Sequence, residues 1–344
     1  MSKMTPLAAA LLVAVSGSVL ANEHMAEVEQ IGTNNSTEQT QSGVMQRSFI
    51  LQNGTENRAL TDQSGTSSED GQASIEQVGM QNLAEIYQVN GGSPGTATAE
   101  IYQAGTANSA TLEQQVYLND LSVTATIHQE GTGNRLNARQ SWVGNELNVV
   151  SIGQENLVEV IQPGFSILQV QQTGTANELR FEYMTSGFGE GFAAVEQVGT
   201  ANQADISQYS GRYPGGEIFL NQYGMANVAN IESGSYATVD FTQQGTGNEL
   251  DSSISGLTSL TGRSEGDYNT VVTSQFGDRN SLDITQVGSY NHVEAYQEFQ
   301  SHEGLISQTG DSNQAFLRQA QSPVGDLASI AQNGNGNVAN VLQQ

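Results

Sequence analysis

The residues of this chain that can do chemistry are mostly amides and carboxylates. There are four histidines, His24, His128, His292 and His302, and no cysteine. The histidines share no metal-ligand spacing, so they are read as solvent-facing side chains; His128 and His292 fall on outward positions of the pattern described below. No Gly-x-Ser-x-Gly elbow and no phosphate-binding loop is present. The acids Glu76, Glu85, Asp205 and Asp283 fall on outward positions, where their ordinary role is solubility and protection against lateral aggregation. Some β-helices hydrolyse polysaccharides with acids lining a groove, but nothing marks one groove here above the others. The Gly-Gly-x-Gly-x-Asp calcium repeat is absent. The expectation is no enzyme, no cofactor and no metal.

The amides are a different matter. The string Gln-x-Gly-x-x-Asn recurs fourteen times at spacings of 21 to 26 residues. Twelve modules open on Gln: Gln30, Gln52, Gln77, Gln103, Gln129, Gln172, Gln197, Gln222, Gln243, Gln286, Gln308 and Gln332. Ser151 and Ser264 open the other two. Two residues later Gly is invariant: Gly32, Gly54, Gly79, Gly105, Gly131, Gly153, Gly174, Gly199, Gly224, Gly245, Gly266, Gly288, Gly310 and Gly334. Five residues after the opening Asn is invariant: Asn35, Asn57, Asn82, Asn108, Asn134, Asn156, Asn177, Asn202, Asn227, Asn248, Asn269, Asn291, Asn313 and Asn337. Eleven residues after it Gln returns in eleven modules, among them Gln88, Gln114, Gln208, Gln297 and Gln343. Tyr183, Ser233 and Ile254 are the exceptions.

These amides need elements to position them. Two residues before each opening stands an aliphatic in twelve modules, such as Val28, Ile75, Ile101 and Ile330, with Phe241 and Gly262 in the other two. Polar residues lie between, which is the period-two pattern of a strand. A second strand reads from Asn to the closing Gln, as in Asn82, Ala84, Ile86, Gln88. The x-Gly-x-x between them reads as a tight turn. The connection to the next module varies in length, as at 90–95 and 213–216. A solenoid tolerates such variation at its boundaries. Each module is then one rung, with a strand in each of two facing sheets. Stacking places like amides about 4.8 Å apart, so that each can donate to one neighbour and accept from the other. Buried alone, the same groups would be costly.

Composition agrees with a repetitive scaffold. Only 36% of the 344 residues are hydrophobic and 38 are Gly, too apolar-poor for an ordinary core of this length. The formal charge is −26, which repels nucleic acid. At the N-terminus, Lys3, an apolar stretch from Leu7 to Leu20 and Val19-Leu20-Ala21 read as a secretory signal, residues 1–21, removed before Asn22. Loss of Lys3, the one lysine, takes the charge to −27. The remainder, 22–344, reads as a single solenoid with no integral membrane segment. Its last rung, Ala328 to Gln343, keeps the motif and leaves little chain to act as a cap, so end-to-end growth is expected.

Gln-x-Gly-x-x-Asn-x-Ala-x-x-x-Gln resembles the curlin repeat of curli subunits in Gram-negative bacteria. Residues 75–88 and 195–208 are especially similar, and the likeness covers 26–343. The resemblance implies an all-β solenoid of about fourteen strand–turn–strand repeats with cross-β amyloid architecture. It implies a secreted subunit that polymerises into cell-surface fibres of the biofilm matrix, with roles in adhesion and aggregation. Its implied partners are further copies of itself, the complementary curli nucleator or major subunit, an outer-membrane export pore and periplasmic chaperones. Acidity and a complete last repeat favour the major subunit over the nucleator. Two features depart from the family. The Ser six residues before the opening Gln occurs here only as Ser166, and no Gly/Asn-rich leader precedes the first strand. The other reading is a secreted monomeric solenoid adhesin that binds a surface or glycan without polymerising.

Overall fold

The structure is a computed structural model, and it describes residues 23–344 apart from 66–70, 92–94, 117–121, 143, 186–189, 211–214 and 321–324. The expected signal segment, 1–21, lies outside the described residues, as do 92–94 and 213–214 of the two boundary loops. The described chain is all β, a solenoid of parallel strands with no helix among the described residues. Fourteen strands precede the turns and fourteen follow them, and a two-stranded pair, Met184–Thr185 with Tyr209–Ser210, stands apart.

The contacts divide the chain into two compact units, one ending at Asn145 and one running from Glu146 to Gln344. The first holds rungs one to five. Their leading strands are Met25–Thr33, Gln46–Thr55, Gly71–Met80, Ala97–Thr106 and Val123–Thr132, which form one sheet in that order. Their second strands, Ser36–Gln41, Arg58–Gly65, Leu83–Asn90, Ser109–Val116 and Arg135–Trp142, form another. The second unit holds rungs six to fourteen. Its leading strands are Glu146–Gln154, Ser166–Thr175, Gly191–Thr200, Glu217–Met225, Thr238–Thr246, Ser259–Glu265, Ser281–Val287, Glu303–Thr309 and Leu327–Asn333. Its second strands are Leu157–Gln162, Glu178–Leu179, Gln203–Ala204, Val228–Asn230, Glu249–Ser253, Thr270–Asp278, His292–Gln300, Gln314–Gln319 and Val338–Gln343.

Register follows the repeat. Ile75 pairs with Ile101, Gln77 with Gln103 and Gly79 with Gly105. Between the sheets lie the alternate side chains: Ala73, Ile75 and Gln77 from one strand, Asn82, Ala84, Ile86 and Gln88 from the other, none more than 1% exposed. Each buried Ile contributes on the order of 1.5–3 kcal/mol. Ala at the facing positions keeps the sheets close. Where a column changes size, a neighbour compensates. Phe241 is fully buried and its partner in register is Gly262. Tyr183 fills the place of a closing Gln, and its ring lies where a Cβ on Gly191 would be.

The turn is placed differently from expectation. The leading strand runs through the Gly and one residue beyond, as in Gly71–Met80. Gly79 has φ +117, and a Cβ there would run into the carbonyl oxygen of Gly105. The reversal falls on the residue before Asn, which is left-handed in every rung, as at Gln81 (φ 57), Ala107 (φ 55) and Ala201 (φ 56). No β-branched residue occupies that position in any module, because such side chains resist positive φ.

Second strands are shortest in rungs seven to nine, where Glu178–Leu179, Gln203–Ala204 and Val228–Asn230 are all that stays regular. Two of these rungs have lost the closing Gln, to Tyr183 and Ser233. The backbone leaves the strand at Ser207 (φ 60), Gln208 (φ 20) and Ser233 (φ 149).

Candidate functional site: polarised amide columns

The constellation built by the repeat is three columns of buried amides. In the leading sheet each Gln donates forward to the next rung. Gln30 Nε2 reaches Gln52 Oε1 at 2.7 Å, and Gln52 to Gln77, Gln77 to Gln103 and Gln103 to Gln129 follow at 2.8–2.9 Å. In the second unit Gln172, Gln197, Gln222 and Gln243 are linked in the same way at 2.8–2.9 Å. Gln286, Gln308 and Gln332 are linked at 2.8–3.1 Å. The spare amide hydrogen goes to a backbone carbonyl across the interior, as from Gln77 to Arg58 O at 3.0 Å.

The closing Gln column behaves likewise. Gln88 donates to Gln114 and Gln114 to Gln140 at 2.8–2.9 Å. Gln275, Gln297, Gln319 and Gln343 form a second run at 2.8 Å.

The Asn column at the turn runs the other way. Asn82 Nδ2 and its backbone N–H both donate backward to Asn57 Oδ1, at 3.0 and 3.1 Å. Asn202 does the same to Asn177, and Asn337 to Asn313. The remaining Asn hydrogen holds the turn: Asn202 Nδ2 lies 3.3 Å from Val198 O and 3.2 Å from Gly224 O. Asn is required because Asp would lack the donor and Gln would be a carbon too long. The two Gln columns and the Asn column therefore carry opposed dipoles, and each rung has a forward and a backward face.

Polarity explains where buried groups lack partners. Each Gln donates forward, so a missing Gln leaves the acceptor of the following one unmet. Gln172 Oε1 follows Ser151, Gln208 Oε1 follows Tyr183 and Gln275 Oε1 follows Ile254; none of the three has a hydrogen-bond partner among the described residues. Ser264 escapes this outcome because its hydroxyl donates to Gln286 Oε1 at 2.8 Å.

Histidine placement needs correction at His302 and in part at His24, whose Nε2 is buried and whose Nδ1 accepts the Gln46 N–H. His128 and His292 are partly exposed and outward, with His128 stacked on Tyr102 at 4.8 Å. His302 is fully buried. It stands six residues before Gln308, at the corner between rungs, where its Nε2 meets Glu298 O at 2.8 Å and its backbone N–H donates to Asn280 Oδ1 at 3.0 Å. The outward reading failed because the corner column has no fixed residue type; it runs through Gln46, Gly71, Ala97, Asn280 and Asp326.

The outward faces carry scattered acids and aromatics. Glu76, Glu85, Asp205 and Asp283 are all at least partly exposed. Tyr223 donates to the Glu196 carboxylate at 2.6 Å, and that bond, then burial, pushes its phenol up to about 12. Burial, then Glu85, raises the Tyr87 phenol, and Arg318 lies 5.3 Å over the Tyr296 ring. Among the described residues no group of three or more His, Asp or Glu side chains could hold a metal ion. No helix among them is long and apolar enough to cross a membrane. Comparison with protein-family models finds no match, and comparison with curated proteins finds none.

Proposed function

We propose that the chain is a structural subunit of an extracellular, curli-type amyloid fibre. One observation carries this reading: identical amides stack rung upon rung in parallel register, and the outermost described rungs carry the same columns as the interior ones. Such a column is continued in register by another of its own kind, which is the logic of cross-β growth. The resemblance of the repeat to curlin supplies the setting: export through the periplasm and an outer-membrane pore, assembly at the surface with a nucleating subunit, and a role in matrix cohesion and adhesion.

The test is seeded assembly. Residues 22–344, purified in denaturant and diluted to neutral pH, should give thioflavin-positive fibres after a lag that preformed seed abolishes. A folded monomer that stays dye-silent and ignores seed would refute the reading and favour the solitary adhesin.

A further inference from the structure

We propose that copies join in a single polarity, the first rung of an incoming copy docking on the fourteenth rung of the copy before, with the incoming His24 seated against Asp326 and Gln344. The inference rests on the fibre-subunit reading and adds the direction and the contacts of the joint.

The amide columns fix the direction. On rung fourteen, Gln332 Oε1 and Gln343 Oε1 accept from Gln308 and Gln319 at 2.8 Å, so each amide has its forward donor still to place. Asn337 spends its donors backward on Asn313, leaving Oδ1 forward. That face presents donor, acceptor, donor. On rung one, Gln30 and Gln41 spend Nε2 on Gln52 and Gln63, leaving Oε1 outward. Asn35 Oδ1 is taken by Asn57, and its Nδ2 lies 3.1 Å from both Ile31 O and Gly54 O, the counterparts of the carbonyl pair that shares one hydrogen on Asn202; the backbone N–H and the other Nδ2 hydrogen are then placed for a preceding rung. That face presents acceptor, donor, acceptor. Fourteen on one matches all three columns. Like on like opposes donor to donor and acceptor to acceptor.

The corner column adds contacts particular to this chain. At three of its steps a side-chain atom of one rung accepts the backbone N–H of the next. His24 Nδ1 accepts from Gln46 at 3.2 Å, Asn280 Oδ1 from His302 at 3.0 Å, and His302 Nδ1 from Asp326 at 3.2 Å. Asp326, the last of the column among the described residues, carries a carboxylate with Oδ2 3.7 Å from His302 Nδ1, which leaves Oδ1 to accept from the incoming His24 N–H. A carboxylate makes that bond stronger than an amide would. The His24 ring completes the fit. Its Nε2 is buried and has no partner among the described residues, whereas the equivalent Nε2 of His302 meets Glu298 O. Glu298 follows the closing Gln297, and its counterpart on rung fourteen is Gln344, which follows Gln343. The Gln344 carbonyl of the copy before therefore receives the His24 Nε2–H.

The chain has no cysteine, which makes the direction measurable. Glu27 and Ser329 are exposed and stand three residues before Gln30 and Gln332. Fibres grown from an equal mixture of E27C and S329C chains, then oxidised, should give disulfides between the two variants and almost none within either. Adjacent paired strands fall within disulfide reach. Disulfides of either variant with itself, or none in fibres that form normally, would overturn the proposal. Failure of the unmodified chain to form fibres would instead refute the fibre reading beneath it.

Gly334→Ala gives a second readout. Within the chain, a Cβ at Gly334 meets nothing closer than Asn337 Nδ2 at 3.6 Å, whereas at Gly310 it would strike Gly334 O. In the proposed joint it strikes Gly32 of the incoming copy. Seeds of this variant should add wild-type chain at the blocked end at least tenfold more slowly. Gly336→Ala, at the left-handed position that Ala107 and Ala201 fill in other rungs (φ +69), meets nothing within 4 Å and should elongate within about twofold of wild type. Equal rates for the two variants would overturn the joint. His24→Ala should slow elongation severalfold while leaving the fold of the unassembled chain unchanged; wild-type elongation would remove His24 from it.

Discussion

Replacing Asn202 by Ala tests the Asn column in the middle of the second unit. The Asn202 side chain is fully buried. Its Nδ2 lies 3.0 Å from Asn177 Oδ1, 3.3 Å from Val198 O and 3.2 Å from Gly224 O. Its Oδ1 accepts the Asn227 backbone N–H at 3.2 Å and Asn227 Nδ2 at 3.0 Å. After truncation, Asn177 Oδ1 keeps the Asn202 backbone N–H and Asn227 Nδ2 keeps Tyr223 O. The Asn227 N–H keeps nothing and is buried. One orphaned donor at about 1–3 kcal/mol, with two or three weakened bonds to carbonyls, comes to about 3 kcal/mol. With a urea dependence of about 2 kcal/mol per molar, the unfolding midpoint of the unassembled chain should fall by about 1.5 M. Gln203→Ala, on the exposed side of the same rung, is the control and should move it by less than about 0.3 M. Equal shifts for the two variants would refute the claim that buried Asn holds the rungs together.

The other predictions follow from the same accounting. Ser151→Gln supplies the donor that Gln172 Oε1 lacks, at a position in register with it, and should raise stability by about 1 kcal/mol in urea unfolding. Gly79→Ala sets a Cβ against Gly105 O at φ +117 and should destabilise by at least about 2 kcal/mol, read as a lower melting temperature. Tyr223, raised to about 12 chiefly by its bond to Glu196, should ionise well above the ordinary phenol value of 10.0 in an ultraviolet titration, and Glu196→Gln should bring it down toward 10.0. Because the folded value is raised, Tyr223 stabilises the fold fully below its ordinary value. That contribution fades as pH rises from there toward 12.

The fold was legible because stacking reuses one residue solution at every rung. Two invariant columns, Gly and Asn, and a nearly invariant Gln set the register through every insertion. Alternation around Ile75 and Ile86 assigned the inward faces. Three features were harder to read. The left-handed residue before Asn shows only as a want of β-branched side chains, since Gln81, Ala107 and Tyr268 share no chemistry. Column polarity is invisible in sequence because an amide carries donor and acceptor alike, and only the backbone decides which points forward. His302 looked like an outward residue because the corner it fills has no fixed type, taking Gly71 and Ala97 as well as side chains that receive a neighbour's N–H, from Asn280 to an imidazole ring.

The central claim is that this chain grows by adding rungs to rungs, and diffraction from aligned, seeded fibres tests it most directly. The account predicts a sharp meridional reflection at about 4.7–4.8 Å and a diffuse equatorial one near 10 Å. Fibre growth should bring no large change in the far-ultraviolet β signal of the folded chain, because the rungs that stack between copies are the rungs already stacked within one. Fibres without the meridional spacing, or a chain that remains a folded monomer at any seed concentration, would contradict it.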